Sequence, residues 1–179
     1  LRGEVEISGA KNAVLPIIAA TLLVFFNIRC ALNFDRFKEE MKTPVGASVS
    51  GTYSMAVMLL AGYLKPFASE AALFIWYLGI IMHIALIIYF TLKFVIKLKP
   101  AQVFSSWYIV YVGIVVASLT APVFEAKGLG NIFFYFGLIT FGLLFILVTA
   151  RYIKLRDIPP MAKPLICIST APASLLIAG

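Results

Sequence analysis

The sequence predicts an all-α fold: a multi-pass bundle of transmembrane helices arranged as repeated helical hairpins. Hydrophobic residues make up 62% of the chain and charged residues 13%, whereas a soluble domain averages about 45–50% and about 25%. The mean hydropathy is +1.00. Several uncharged runs are long enough to cross a hydrocarbon core of about 30 Å, and short basic clusters separate them.

The net charge of +7 does not indicate a nucleic-acid partner, because the basic residues form no continuous face with interleaved aromatic residues. Basic clusters between apolar runs are typical of loops at the surface of a lipid bilayer. The two cysteines, Cys30 and Cys167, have neither zinc-site nor redox-pair spacing. We therefore expect free thiols, no metal site and no other cofactor.

The first part of the chain changes its periodicity. Residues 4–8 alternate like an edge strand, Gly9 ends the alternation, and an apolar helical run follows. The uncharged residues 12–28 are at the lower limit of length for a membrane span.

Residues 29–42 are polar and connect this run to the next. Phe34, Phe37 and Met41 recur at helical spacing, which predicts a short amphipathic helix at the membrane surface. A solvated loop is the alternative.

Four further uncharged runs follow at 43–64, 71–92, 101–124 and 128–150, and another apolar run covers 164–179. Each predicts a membrane helix. A continuous helix over 101–124 would be about 36 Å long at about 1.5 Å per residue.

The connections between these runs contain four, one, three, one and four Lys or Arg residues in chain order. This alternation follows the positive-inside rule. It predicts that loops 29–42, 93–100 and 151–163 are cytoplasmic, so that 43–64, 101–124 and 164–179 run outwards and the other two helices return.

Small residues are concentrated in the three outward helices, whereas bulky aliphatic and aromatic residues are concentrated in the return helices. Small residues allow close helix packing, and bulky apolar residues suit lipid. We therefore place the outward helices inside the bundle. Pro122 and Pro172 are expected to kink two of these helices and free the carbonyls of Ser118 and Ile168.

The outward helices supply the candidates for lining a pore. A hydroxyl or a kinked backbone can replace part of an anion's hydration shell, although a Ser or Thr often bonds a carbonyl of its own helix instead. We expect His83, inside a return helix, to bond a neighbouring helix as a neutral side chain rather than to act in transport. The pore-lining candidates are Ser50, Gly51, Thr52, Ser54, Ser118, Thr120, Pro122, Thr170, Pro172 and Ser174.

The motifs GEV (3–5) and ISGAKNA (7–13) resemble the amino terminus of the UDP-N-acetylglucosamine enolpyruvyl transferases, over about residues 1–23. The resemblance implies that Lys11 and Asn12 match a pair that binds phosphoenolpyruvate. The rest of that soluble enzyme has no counterpart here. We interpret 1–23 as a foreign start with a vestigial motif, joined to a membrane domain over 24–179.

Residues 24–179 resemble the tellurite-resistance/dicarboxylate transporter family, which is related to slow-type anion channels. The stretches that carry the resemblance are FKEEMKTPV (37–45), YSMAVM (53–58), WYIVYVGIVVASLTAP (107–122) and APASLLIAG (171–179). The resemblance implies ten helices in five hairpins, a pore lined by the first helix of each hairpin, and a homotrimer.

Two departures from this family pattern stand out. The family has a proline in its third helix where this chain reads Ser50-Gly51-Thr52. The family's first helix and its last three have no counterpart, so the chain is expected to be incomplete at both ends and not to conduct alone.

The sequence therefore predicts a fragment of a plasma-membrane anion channel or transporter and not an enzyme. Its expected solutes are small anions such as dicarboxylates, chloride, nitrate or tellurite. The alternative is a truncated enolpyruvyl transferase of peptidoglycan synthesis, supported only by the first residues.

Overall fold

A computed structural model describes residues 8–97, 102–154, 168 and 170–178. All elements in this part of the chain are helical, which confirms the all-α fold.

Helix α1 (Ser8–Leu32) is longer than the predicted run 12–28. The expected strand 4–8 lies outside the described residues except for Ser8, which begins the helix. Ser8, expected to end the strand, is therefore helical, and Gly9 lies within α1 instead of separating a strand from the helix. The helix is also continuous across residues 23–24, where the sequence suggested a join.

Helix α2 (Phe34–Met41) follows after a bend of 101°. Phe37 and Met41 are half-buried, and the Phe37 ring meets Phe26 of α1 edge-on at 6.1 Å between ring centroids. The short amphipathic helix is confirmed, and the loop alternative is wrong. The ion pair between Arg29 and Glu40 closes the corner between α1 and α2.

Helices α3 (Pro44–Val49) and α4 (Gly51–Leu64) form the second apolar element. Thr43 caps α3 because its Oγ1 accepts a hydrogen bond from the Gly46 amide at 3.1 Å, and Pro44 occupies the first helical position. Together Pro44–Leu64 are long and apolar enough to cross a membrane, as predicted for 43–64.

Helix α5 (Ser69–Phe90) continues into a π-helical turn at Thr91–Val95. It packs against α4 at Gly79. A Cβ atom at Gly79 would lie 2.7 Å from Met58 Cγ and 3.3 Å from the Met58 amide nitrogen. Only a residue without a side chain allows this close approach of the two helices.

The predicted continuous helix over 101–124 is wrong. The segment forms α6 (Trp107–Tyr111), a turn, α7 (Val115–Thr120) and a 3-10 turn at Ala121–Phe124. It is nevertheless the most buried segment of the structure, with Trp107, Val110 and Val115 at its centre. Hydropathy thus predicted the burial of this segment and not its backbone path.

Helix α8 (Lys127–Lys154) is a long outer helix that confirms the run 128–150. Apolar side chains such as Ile132, Ile139 and Ile146 are more than 60% exposed, which suits contact with lipid. Helix α9 (Thr170–Ala178) is the described part of the run 164–179, and residues 164–167 lie outside the described residues.

By length and composition, three helices of the described residues could cross a membrane: Pro44–Leu64, Ser69–Val95 and Lys127–Lys154. The bent pair α1–α2 would make a fourth if it is one span. The chain thus has the character of a multi-pass membrane bundle, although the segment 101–124 crosses it as short broken helices.

Contacts between loop ends define the two ends of the bundle. At one end Lys93 donates a hydrogen bond to the Met41 carbonyl at 3.2 Å, and the Arg151 guanidinium lies over the Phe104 ring. At the other end Lys65 donates to the Val123 carbonyl. The described parts of the three loops predicted to be cytoplasmic are therefore at one end, which we name the basic end.

A cavity at a broken helix

A cavity of about 420 Å³ lies between α4, the α6–α7 segment and α9. Among the described residues, all those that line it come from the three segments predicted to run outwards. We name it the three-segment cavity. Residues on its walls include Met55, Tyr108, Val112, Gly113, Pro172 and Ser174.

The break between α6 and α7 forms one wall of this cavity. Hydrogen bonds between residues three apart replace the α-helical pattern, from the Val115 amide to the Val112 carbonyl (3.0 Å) and from the Val116 amide to the Gly113 carbonyl (3.1 Å). A Cβ atom at Gly113 would overlap the Ile109 carbonyl oxygen and lie 2.8 Å from Met55 Sδ. The wall therefore requires glycine at this position.

His83 supports the break from the neighbouring helix α5. The side chain is fully buried, and its Nε2 lies 3.0 Å from the Val110 carbonyl oxygen. Because a carbonyl oxygen can only accept, Nε2 carries the proton. Nδ1 lies 2.7 Å from Ser54 Oγ of α4. The expected bonding of His83 to a neighbouring helix is confirmed, and the histidine ties three segments together.

Two of the ten pore-lining candidates, Pro172 and Ser174, line the three-segment cavity. Tyr108 and Ser174 are the polar side chains among its described lining residues, and Ser174 Oγ donates to the Ala171 carbonyl of its own helix at 2.8 Å. The wall is therefore mainly apolar, with the serine at one side.

The candidates in the second element lie apart from this cavity. Gly51 is buried where α4 meets Leu86 and Ile109. Ser50 and Ser54 line a different groove, of about 330 Å³, between α2, α4 and α5. Thr52 is exposed.

The remaining candidates are also distributed away from the cavity wall. Thr120 is buried and accepts a hydrogen bond from the Trp76 indole of α5 at 2.7 Å. Ser118 is buried in α7. Pro122 and Thr170 are exposed.

Most of the candidate hydroxyls bond carbonyls of their own segment, which is the alternative that the sequence left open. Each donates to a carbonyl three or four residues earlier at 2.7–2.8 Å. These residues are Ser50, Thr52, Thr120 and Ser174. Ser54 Oγ lies 2.9 Å from the Gly51 carbonyl, but its hydrogen is donated to the unprotonated Nδ1 of His83.

The expected effect of Pro122 differs from the structure. Pro122 is the second residue of the 3-10 turn and does not kink a continuous helix, and the Ser118 carbonyl accepts from the Ala121 amide rather than being freed. Pro172 is the third residue of the described part of α9; residues 164–167 and 169 lie outside the described residues, so the expected kink there stays a prediction. Pro172 is buried against the cavity.

Sequence reasoning missed the cavity residues Met55, Tyr108, Ile109, Val112 and Gly113. The candidates were chosen because they were hydroxyl residues, prolines or a glycine beside them, whereas most of this wall consists of apolar side chains. The glycine within an otherwise bulky run, VYVGIVV, was the available signal, because glycine inside a helix often marks a close approach of the backbone.

Comparison with known proteins agrees with this architecture. A family model described as "Voltage-dependent anion channel" matches residues 12–179. The chain belongs to the voltage-dependent anion channel family. The match includes every segment that lines the cavity, and it assigns the membrane helices to a family of channels and transporters rather than of enzymes.

Two curated relatives match short stretches only. Both are UDP-N-acetylglucosamine 1-carboxyvinyltransferases, one from Dichelobacter nodosus (88% identical over 24 residues, 13% of this chain) and one from Elusimicrobium minutum (64% over 33 residues, 18% of this chain). The chain spans 6% and 7% of the length of these relatives. The structure places the matching motif residues Lys11 and Asn12 within α1.

Proposed function

We propose that this voltage-dependent anion channel family chain is part of an integral membrane channel or transporter in which small anions pass through the three-segment cavity. The main support is that residues of α4, α6–α7 and α9 together line this space. The same three segments are rich in small residues and run outwards by charge distribution. The outer helix α8 takes no part in the described wall.

The apolar wall implies a particular mode of passage. An anion that enters such a cavity loses much of its hydration. The wall can replace only a little of it, because its polar groups are the Ser174 hydroxyl and the Tyr108 phenol. Cations at the basic end, including Lys93 and the exposed Lys97, raise the local anion concentration at that end of the bundle. This arrangement favours weakly hydrated anions over strongly hydrated ones of the same charge.

The remaining functional assignments follow from the sequence and the family. We propose the plasma membrane as the location, with the basic end in the cytoplasm, and a homotrimer in which each subunit has its own pathway. The solutes are small anions such as dicarboxylates, chloride, nitrate or tellurite. No enzymatic role is proposed, and the described part of the transferase-like start, residues 8–23, serves as part of the first membrane helix.

Accessibility of introduced cysteines tests the pathway. In a background without Cys30 and Cys167, cysteines replacing Val112 or Ser174 should react with a charged, water-soluble thiosulfonate in intact membranes. A cysteine replacing Ile139, on the outer face of α8, is the matched control and should stay unreactive, because lipid suppresses the thiolate.

A second measurement links access to transport. Malate or nitrate in excess should slow the labelling at position 174, and Ser174→Trp should reduce anion flux in proteoliposomes by filling the cavity. Anions do not use this cavity if cysteines at positions 174 and 139 are labelled equally. The same conclusion follows if Ser174→Trp folds and leaves the anion flux unchanged.

A further inference from the structure

A buried arginine at the basic end has no carboxylate partner among the described residues. Arg151, in the last turn of α8, is 5% exposed. Its Nε and Nη1 atoms are buried and make no hydrogen bond. Buried charges are ordinarily paired and hydrogen-bonded, because leaving them unpaired is costly.

Two aromatic rings hold the guanidinium in place. Its Cζ atom lies 4.9 Å from the centroid of the Phe104 ring and 5.1 Å from that of Tyr152. The Tyr152 hydroxyl is already engaged with Ser105 Oγ at 3.0 Å. Ring faces attract a cation but accept no N–H hydrogen bond of normal strength, so Nε and Nη1 of the guanidinium remain without a hydrogen-bond acceptor.

The carboxylates of the described residues do not neutralise this charge. Glu40 pairs with Arg29 and Arg36, and Glu39 pairs with Lys42. Asp35 is close to Lys38. Glu70 and Glu125 are placed near the opposite end, at the start of α5 and after the 3-10 turn. A second buried donor without a partner, Ser106 Oγ, lies in the same turn as Phe104.

We propose that Arg151 is the centre of an oxyanion-binding site at the basic end of the bundle, which takes a carboxylate or phosphate group. A planar guanidinium with unpaired donors fits the two oxygens of such a group. The site is separate from the three-segment cavity, and it binds whether or not that cavity conducts. The oxyanion comes either from a dissolved anion or from the phosphate of a lipid headgroup.

The dissolved anion is tested with the purified chain in maltoside detergent and Tris-chloride buffer. Titration with malate and with inorganic phosphate is followed by tryptophan fluorescence and by the midpoint of thermal unfolding. Binding should raise the midpoint. Arg151→Gln should weaken binding at least tenfold, and Lys154→Gln, which removes an exposed charge from the same helical turn, should leave it unchanged.

The lipid source is tested by native mass spectrometry of the same variants after exchange into phosphatidylglycerol or phosphatidylcholine nanodiscs. Retained lipid that Arg151→Gln loses and Lys154→Gln keeps identifies the headgroup as the source. Binding of malate or phosphate without retained lipid identifies the dissolved anion. Arg151→Lys keeps the charge and serves where the glutamine variant does not fold, and it should bind with intermediate affinity.

Other results would show that the oxyanion site at Arg151 does not exist. If neither malate, phosphate nor lipid binds to the unmodified chain, the proposal is wrong. It is also wrong if Arg151→Gln binds as tightly as the unmodified chain. Asp157, outside the described residues, is tested as a partner with Asp157→Asn. If this variant lowers the unfolding midpoint as much as Arg151→Gln does, and no anion raises the midpoint of either variant, Asp157 neutralises the charge of Arg151 and the proposal is wrong.

Discussion

Replacing His83 by leucine should destabilise the bundle at the break between α6 and α7. The leucine fills a similar volume but cannot donate to the Val110 carbonyl, which the histidine contacts at 3.0 Å. A buried acceptor left without a donor costs about 1–3 kcal/mol. The Ser54 hydroxyl, which donates to Nδ1 in the unmodified chain, can donate to the Gly51 carbonyl 2.9 Å away instead, so it adds little to the loss. We therefore expect about 1–2 kcal/mol.

The assay is reversible unfolding in mixed micelles, followed by tryptophan fluorescence. His83→Gln should recover part of the stability, because its amide can place a donor near the position of Nε2. His83→Asn has a shorter side chain and should not. Ser54→Ala combined with His83→Leu should give a coupling energy of about 0.6 kcal/mol, which is typical of hydrogen bonds between membrane helices.

The result that would refute this reasoning is a His83→Leu variant as stable as the unmodified chain to within about 0.5 kcal/mol. The break would then be held by packing alone. Equal recovery by glutamine and asparagine would likewise show that the donor position is unimportant.

Three further predictions follow from packing, topology and the transferase-like start. Gly79→Ala should lower the free energy of unfolding by about 1–3 kcal/mol, because the added methyl group overpacks against Met58. Gly142 has open space around it, so Gly142→Ala should be neutral or stabilising by up to about 1 kcal/mol. Unfolding curves that rank the two variants the other way would contradict the close approach of α4 and α5. In intact cells and a cysteine-free background, Lys38→Cys should be shielded from an impermeant thiol reagent and Lys127→Cys should react; the reverse pattern would invert the orientation. The purified chain should show no transfer from phosphoenolpyruvate to UDP-N-acetylglucosamine, and turnover that Lys11→Ala abolishes would establish an enzymatic role.

The sequence was informative where a property depends on residues close together in the chain. Long apolar runs predicted the elements Pro44–Leu64, Ser69–Val95 and Lys127–Lys154, because spanning a bilayer requires only length and low charge. The spacing of Phe37 and Met41 likewise predicted the amphipathic helix α2. The concentration of small residues pointed to the three segments that line the three-segment cavity, and their role in a pore stays a prediction.

The path of residues 107–124 was not predictable in this way. Its apolar run fits a straight membrane helix equally well, and the break depends on residues far away in sequence. His83 reaches Val110 across 27 positions, and Met55 leaves no room for a side chain at Gly113. The identity of the cavity residues follows from that break, so hydroxyls and prolines were incomplete guides to the wall.

Fold class and membrane character were thus determined by the sequence itself, through composition and run length, and the distribution of Lys and Arg predicts the orientation of the helices. Only the tertiary structure decided which carbonyl His83 bonds, which wall Gly113 forms and that Arg151 has no carboxylate partner among the described residues. The physical reason is that hydropathy sums over neighbouring residues, whereas each of these three features is a contact between segments that the chain brings together only on folding.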